Sequence, residues 1–221
     1  MPSIYANTTD GYVSKDDASW ATARDSLAGE TSSYTANYNN LGIRADRVDA
    51  RGGGYLYSIG RSFFYFDISG ITTNVLEAKL RIFGRTYGTG DVIAVKATSG
   101  ITVLTTSDFN SISGWVIGGS DGSGGGDNLG NVTAYSQVIS AWSTSGYNNI
   151  TLNSTALADL RTNDTLYIAV INADYDLRDM IPTGYLDNRN GLYYVDQTGT
   201  DRDPYIDYTL ADNAVFFGCN F

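Results

Sequence analysis

The stretch "RSFFYFDISGITTNVLEAKLRIF", residues 61–83, predicts two antiparallel strands joined by a turn. Its second half alternates between apolar and polar residues, which is typical of a strand with one buried face. The first half, residues 61–68, is almost continuously aromatic, so we expect one face in the core and the other under a loop or a neighbour. The turn is "SGITTN", residues 69–74. The alternating apolar set is Leu76, Ala78, Leu80 and Ile82, and the polar set is Glu77, Lys79 and Arg81.

Short strand patterns recur along the chain at the spacing of sandwiches and barrels. Residues 106–112 and 153–160 favour short helical turns, the first capped by Thr106 or Ser107 and the second by Asn153. The Gly-rich residues 118–130 predict an exposed loop. The further strand candidates are residues 4–6, 11–14, 41–48, 55–59, 91–98, 132–140, 148–152, 166–171, 192–195 and 204–210.

These patterns predict an all-β fold, a single antiparallel two-sheet jelly-roll β-sandwich with one or two short helical turns. No linker or internal repeat divides the chain, so we expect one domain over residues 1–210 and an apolar tail over residues 211–221. The low share of charged residues, 17%, agrees with many short strands and turns. The predicted core is Phe63, Phe66, Leu80, Ile82, Val95, Leu152, Ile168 and Val170.

The composition excludes several classes of function. The chain has no histidine and its one cysteine is Cys219, so Ser-His-Asp, Cys-His and His-ligated zinc sites cannot form. Paired carboxylates for glycoside cleavage stay possible, but 24 acidic residues bring some pairs to the required spacing by chance, so such pairs carry little information and we expect no enzyme. The net charge of −10, from 24 acidic and 14 basic residues, argues against nucleic-acid binding. No apolar stretch has the length of a membrane span, so we expect no membrane insertion.

Two acidic clusters offer oxygen ligands for calcium, but neither has the spacing of an EF-hand loop. The alternative is that these residues are solvated loop acids, and we favour it. No cofactor is therefore predicted, and structural calcium is not supported. The clusters are Asp174, Asp176 and Asp179 in "DYDLRD", and Asp121 and Asp127 in the Gly-rich loop.

Aromatic side chains are the candidates for a glycan-binding site, because flat rings pack on sugars. Trp20 and Trp142 are interpreted as core residues, since large aromatic residues dominate sandwich interiors. Trp115 and Tyr185 lie beside Gly-rich turns, where a ring can be exposed on a rigid scaffold. These two residues are the predicted glycan contacts.

The tail "ADNAVFFGCNF", residues 211–221, is apolar and almost uncharged. An uncovered apolar terminus would be an aggregation liability. It therefore either folds back over an open end of the sandwich or docks on another subunit, and we favour docking. The predicted assembly contacts are Val215, Phe216, Phe217 and Phe221.

Several segments, in order, resemble a jelly-roll family found in tailed-phage structural proteins and in the related DNRLRE-type domains, whose fold is like that of carbohydrate-binding modules. The matching segments include "TTDGYVSKDDASWATAR" near the start, "IGRSFFYFDISGI" and "LEAKLRIFG" in the middle, and "DQTGTDRDPYIDYTL" late in the chain. The most specific motif is an R-x-F-x-x-F-D strand followed by "EAKL". The resemblance implies a virion or cell-surface display role and no catalytic residues.

The function expected from this resemblance is that of a non-enzymatic structural or surface-display subunit of a bacteriophage virion. It would be a head decoration or fibre protein, or a tail-associated subunit, made in the host cytoplasm and located in the virion. Its expected partners are capsid or tail subunits and, through self-association, other copies of the chain. The alternative is a glycan-binding adhesion module for host or environmental polysaccharide, and a third, weaker option is a depolymerase. Clustered exposed aromatic residues on one sheet face would favour that alternative.

Overall fold

The described residues of the computed structural model are 2–33, 42–98, 103–117, 131–183, 188–195 and 199–211. Within them, eleven strands form, and each pairing between strands is antiparallel. The strands are β1 Ser3–Tyr5, β2 Gly11–Asp17, β3 Thr31–Ser33, β4 Ile43–Asp49, β5 Tyr55–Asp67, β6 Val75–Gly88, β7 Val92–Lys96, β8 Tyr147–Thr151, β9 Thr165–Asn172, β10 Arg189–Leu192 and β11 Tyr205–Leu210.

The helical elements in the described residues are short. They are α1 Trp20–Arg24, α2 Ser154–Thr162, a 3₁₀-helix over Thr106–Asn110 and a π-helical turn over Ala173–Leu177. Asn153 caps α2 as predicted, because its side chain accepts from two backbone N–H groups of the first turn. The predicted cap of the 3₁₀-helix is wrong by one residue: Thr105 caps it, and its N–H donates to Asp108 Oδ2 at 2.7 Å.

Two layers of strands pack face to face. In one layer β6 lies between β11 and β8, and β1 extends the sheet beyond β11. In the other layer β5 pairs with β2 along one edge and with β4 and then β9 along the opposite edge. Strand β10 pairs with both β4 and β6, so it joins the two layers at one side. The predicted all-β antiparallel fold is confirmed, whereas its jelly-roll strand order stays a prediction.

Strand β5 is buried on both faces, as its aromatic sequence predicts. Phe64 and Phe66 enter an inter-sheet core together with Leu80 and Ile82 of β6. Phe63 points the other way, into a second core that α1, the 3₁₀-helix and loops cover. Each residue of the predicted core is less than 5% exposed, and Trp20 and Trp142 are buried as predicted.

The alternating pattern of β6 fails at one residue. Leu76 is 58% exposed, although Ala78, Leu80 and Ile82 are buried. The cause is a register shift against β11, where pairing skips Leu76 and Val75 packs against the core instead. A bulge of this kind reverses the facing of every residue beyond it.

The predicted strand at residues 192–195 is wrong, because the strand there is Arg189–Leu192, and three further parts of the chain also differ from the sequence prediction. The predicted strands at residues 55–59 and 61–68 are one thirteen-residue strand, β5. Residues 132–140 do not form a regular strand and make only isolated bridges, such as Val95 with Ala134. The short β3 and α1 were not predicted, because neither has enough residues to establish a period.

Candidate functional site

The outer face of the β1–β11–β6–β8 sheet carries a continuous row of aromatic side chains. Period-two alternation puts Ile206 and Ile150 into the inter-sheet core. Tyr205, one residue before Ile206, and Tyr147, three residues before Ile150, therefore face outward. Tyr193 is added at one side because its backbone N–H donates to the carbonyl of Phe83 at 3.0 Å. We call this row the aromatic strip, and its members are Tyr5, Tyr205, Tyr147, Phe83 and Tyr193.

The five rings of the strip are in direct succession. Ring centroids are separated by 5.5 Å from Tyr5 to Tyr205 and by 5.1 Å from Tyr205 to Tyr147. The next separations are 5.1 Å from Tyr147 to Phe83 and 5.8 Å from Phe83 to Tyr193. All contacts except the first are edge-to-face, with interplanar angles of 75–78°. The strip therefore shows alternating faces and edges rather than one flat platform.

The rings of the strip are partly exposed rather than fully open to solvent. Tyr5 is 44% exposed, and the other four members are partly exposed. The hydroxyl of Tyr147 donates to the carbonyls of Asp201 and Asp203, at 3.0 and 3.2 Å, which fixes the ring across β6. Burial and the neighbouring Tyr205 raise the pKa of Tyr147 to about 12. Its hydroxyl thus stays protonated throughout the neutral range.

Guanidinium groups cover one end of the strip. Arg202 Cζ lies 4.9 Å from the ring centroid of Tyr193 and 5.4 Å from that of Phe83. Arg85 Cζ lies 5.2 Å from the same Tyr193 ring. Arg202 also donates to the Tyr193 hydroxyl at 3.0 Å. These contacts hold two planar donor groups beside the exposed rings.

A polar group lies next to the strip on the same sheet face. Arg81 of β6 donates through Nε and Nη2 to Asp207 of β11, at 3.0 and 2.6 Å. A third donor, Nη1, contacts Asn149 of β8. The hydrogen bond to Asp207 raises the pKa of Arg81. Donors and acceptors of fixed orientation therefore border an apolar row, which is the composition of a sugar or protein contact surface.

The residues predicted for glycan binding are not part of the strip. Trp115 is partly buried, and its ring centroid lies 4.0 Å from Arg61 Cζ and 4.5 Å from Arg24 Cζ. Trp115 packs against the second core, and two guanidinium groups contact the ring that was predicted to bind a sugar. Tyr185 and the tail contacts Val215, Phe216, Phe217 and Phe221 lie outside the described residues.

To predict the strip from the sequence, one would need to know which strands pair with one another. Tyr205 and Tyr147 alternate with core residues in "PYIDYTL" and "GYNNITL", which indicates outward aromatic positions. Their convergence depends on β11 and β8 flanking the same strand, and that pairing is not encoded locally.

The acids weighed as calcium ligands have separate protein partners. Asp176 is fully buried and accepts from Arg61 Nε and Nη2 at 2.8 and 2.7 Å, so its interpretation as a solvated loop acid is wrong. Asp174 accepts from the backbone of Asp91, and Asp179 accepts from Trp20 Nε1, each at 2.8 Å. Among the described residues, no group of three or more His, Cys, Asp or Glu side chains is arranged to hold a metal ion. Asp121 and Asp127 lie outside them.

No protein-family model matches the chain, and no curated protein matches it significantly. In the part of the chain that the structure describes, no helix is long and apolar enough to cross a membrane.

Proposed function

We propose that this chain is a non-enzymatic display module of a tailed-phage particle and that it contacts polysaccharide through the aromatic strip. The observation that carries the glycan part is the succession of five partly exposed rings across one sheet face. The virion part is supported by the resemblance in sequence alone. Its partners on the particle would be capsid or tail subunits.

The chemistry of the strip supports a carbohydrate ligand. Aromatic rings bury the apolar C–H faces of a sugar, while adjacent polar groups bind its hydroxyls. Arg81, Asp207 and Asn149 supply both donors and acceptors directly beside the rings. The hydroxyls of Tyr5 and Tyr205 add groups that can both donate and accept.

The ring angles favour a single glycan chain over a flat, crystalline polymer surface. A flat surface requires coplanar rings, but Tyr147 makes angles of 75° and 78° with its two neighbours. A flexible chain can turn successive sugar faces toward successive rings. The strip extends over four centroid separations of 5.1–5.8 Å, so we expect an oligosaccharide of several units to bind better than a monosaccharide.

A protein ligand is the alternative occupant, because tyrosine and arginine are also enriched at protein interfaces. In that case the strip would serve as an assembly surface of a purely structural virion subunit. The same variants test both proposals. A strip variant would lose glycan binding in the first case and a protein contact in the second.

The test is a glycan array followed by calorimetry with the oligosaccharides that bind. Tyr147→Ala removes the central ring and should weaken binding at least about tenfold, as expected for a residue at the centre of a contact surface. The matched control is Tyr87→Ala, which removes an exposed tyrosine of β6 that is outside the strip. Circular dichroism establishes that both variants are folded.

Two results would contradict the glycan proposal. One is binding that Tyr147→Ala leaves unchanged, and the other is no binding to any glycan while Tyr147→Ala abolishes incorporation into particles. The second result would identify the strip as an assembly surface. Cryo-electron microscopy of particles with and without the chain tests the virion part of the proposal. If particles that lack the chain show the same head and tail density as particles that contain it, the virion part is refuted.

A further inference from the structure

A cleft of about 630 Å³ lies between the end of β7, the end of α2 and the start of β9. It shares no residue with the aromatic strip. Its volume is within the range of about 300–1,000 Å³ that is typical of small-molecule sites. Strands β7 and β9 pair in regular register as far as Lys96 and Ile168, so the strand sides of the cleft are held in place.

A hydrogen-bonded group of three side chains fixes the charged part of the cleft. Lys96 Nζ donates to Asp159 Oδ2 at 2.8 Å, and the Tyr135 hydroxyl donates to the same oxygen. Tyr135 is only 1% exposed, so it positions Asp159 and does not reach a ligand. The Lys96 side chain is 37% exposed, and Asp159 takes one of the three N–H groups of its ammonium. Lys96 therefore offers further donors to the cleft from a fixed position.

The charges of the cleft favour a neutral ligand. Lys96 and Asp159 balance each other as an ion pair, and Asp164 adds an exposed carboxylate at the rim. An anion in the cleft would lie close to Asp164 and Asp159, and a cation would be repelled by the Lys96 ammonium. A ligand without charge avoids both penalties.

Side-chain hydroxyls line much of the remaining surface. Each of them is at least partly exposed, and none makes a hydrogen bond within the part of the chain that the structure describes. A hydroxyl can both donate and accept, so this lining suits a ligand whose own groups do the same. The residues are Thr98, Ser113, Thr165 and Tyr167.

Tyr167 also gives the cleft an apolar surface. Its ring packs on Tyr65, with centroids 5.2 Å apart and an interplanar angle of 45°, and it borders the second core. These contacts fix the ring, and the side chain stays partly exposed at the cleft. An aromatic ring beside groups that donate and accept can pack on the C–H face of a sugar and bind its hydroxyls.

We propose that this cleft binds a neutral sugar unit, with Lys96, Thr165 and Tyr167 among its contacts. The Lys96 ammonium and the lining hydroxyls bind hydroxyls of the sugar, and the Tyr167 ring packs on its apolar face. The balanced charge, the hydroxyls without partners and the ring all match this one class of ligand. Sugar binding here is independent of glycan binding at the strip, because the two surfaces have no residue in common.

The test is ligand-observed NMR and calorimetry of the full chain with glucose, galactose, mannose and N-acetylglucosamine. Glucosamine and galacturonate are the charged counterparts of glucose and galactose, and we expect the neutral sugars to bind more tightly. Thr165→Val removes one hydroxyl and keeps the branched shape, so binding should weaken about threefold to tenfold. Tyr167→Leu removes the ring and should weaken binding further.

The matched control is Thr31→Val, which makes the same replacement at an exposed first residue of another strand, β3. It should leave sugar binding unchanged. Tyr147→Ala separates the two surfaces, because it changes the strip and leaves the cleft intact. Circular dichroism establishes that each variant is folded.

Four results would overturn the cleft as a neutral sugar site. They are binding of none of the four neutral sugars, tighter binding of galacturonate or glucosamine than of its neutral counterpart, equal effects of Thr165→Val and Thr31→Val, and loss of binding in Tyr147→Ala but not in Thr165→Val. If the strip binds no oligosaccharide, the proposed function fails, while monosaccharide binding that Thr165→Val weakens would still establish the cleft.

Discussion

Arg61 and Asp176 form a fully buried bidentate ion pair between residues separated by 115 positions in the sequence. The guanidinium also donates to the carbonyls of Phe109 and Arg24, at 2.9 and 3.0 Å. One side chain thus connects β5, the π-helical turn, the 3₁₀-helix and α1 beneath the second core. The resemblance motif R-x-F-x-x-F-D therefore begins with a residue whose role here is structural.

Asp176→Ala should destabilise the fold by about 3–5 kcal/mol, because it leaves the Arg61 guanidinium buried without its counter-charge. Urea unfolding of the variant and the wild type measures the difference. The control is the double replacement Arg61→Met with Asp176→Leu, which removes both charges and should cost less than Asp176→Ala alone. A single variant as stable as the wild type would show that this pair does not support the second core.

Phe66→Ala should cost about 3–5 kcal/mol, because Phe66 is fully buried in the inter-sheet core. Leu76→Ala is the informative comparison, since Leu76 is apolar and lies in a strand but is 58% exposed at the bulge. Its effect should stay within about 0.5 kcal/mol. Thermal or urea unfolding gives both values, and a large loss for Leu76→Ala would contradict the bulged register.

Gly84→Ala should destabilise the chain strongly, because a Cβ at this position would lie 1.7 Å from the backbone carbonyl oxygen of Ser143. Backbone cannot move away as a flexible side chain can, so the strand or the segment before β8 must shift. Gly70→Ala is the control, since a Cβ there would meet no atom within 4 Å. If the two variants melt at the same temperature, the close approach of Ser143 to β6 is not present in solution.

Asp159 should make stability depend on pH in the acidic range. Burial raises its pKa, but hydrogen bonds from Lys96 and Tyr135 outweigh burial, and the pKa is lowered overall. A lowered carboxyl pKa stabilises the fold above the unfolded-state pKa, and this stabilisation is lost as pH falls through the folded-state pKa. Asp159→Asn should therefore lose less stability than the wild type between neutral and acidic pH, measured by unfolding at several pH values. Parallel pH profiles would contradict this assignment.

The sequence predicted the interior better than the surface, for a physical reason. Burial of Phe66, Leu80 and Ile168 follows from period-two alternation and aromatic content, both of which are local properties. The exposure of Leu76 follows from a one-residue register shift against β11, which no local pattern records.

The candidate sites depended even more on long-range pairing. Trp115 looked exposed because glycine follows it in sequence, but arginines from α1 and β5 contact its ring. The rings of the strip come from β1, β11, β8, β6 and the residue after β10, so their succession exists only after the sheet has formed.

The apolar tail is the remaining proposed assembly contact, and deletion of residues 212–221 tests it. Strand β11 ends at Leu210 and already pairs with β1 and β6, and its Ile206 is fully buried in the inter-sheet core. We therefore expect the truncated chain to stay folded but to lose self-association or incorporation into particles, measured by light scattering and by particle assembly. A full-length variant with serine at Val215, Phe216, Phe217 and Phe221 should behave in the same way, because it removes the apolar surface and keeps the length. If either variant instead unfolds or melts far lower as a monomer, the tail belongs to the domain's own core and the docking proposal fails.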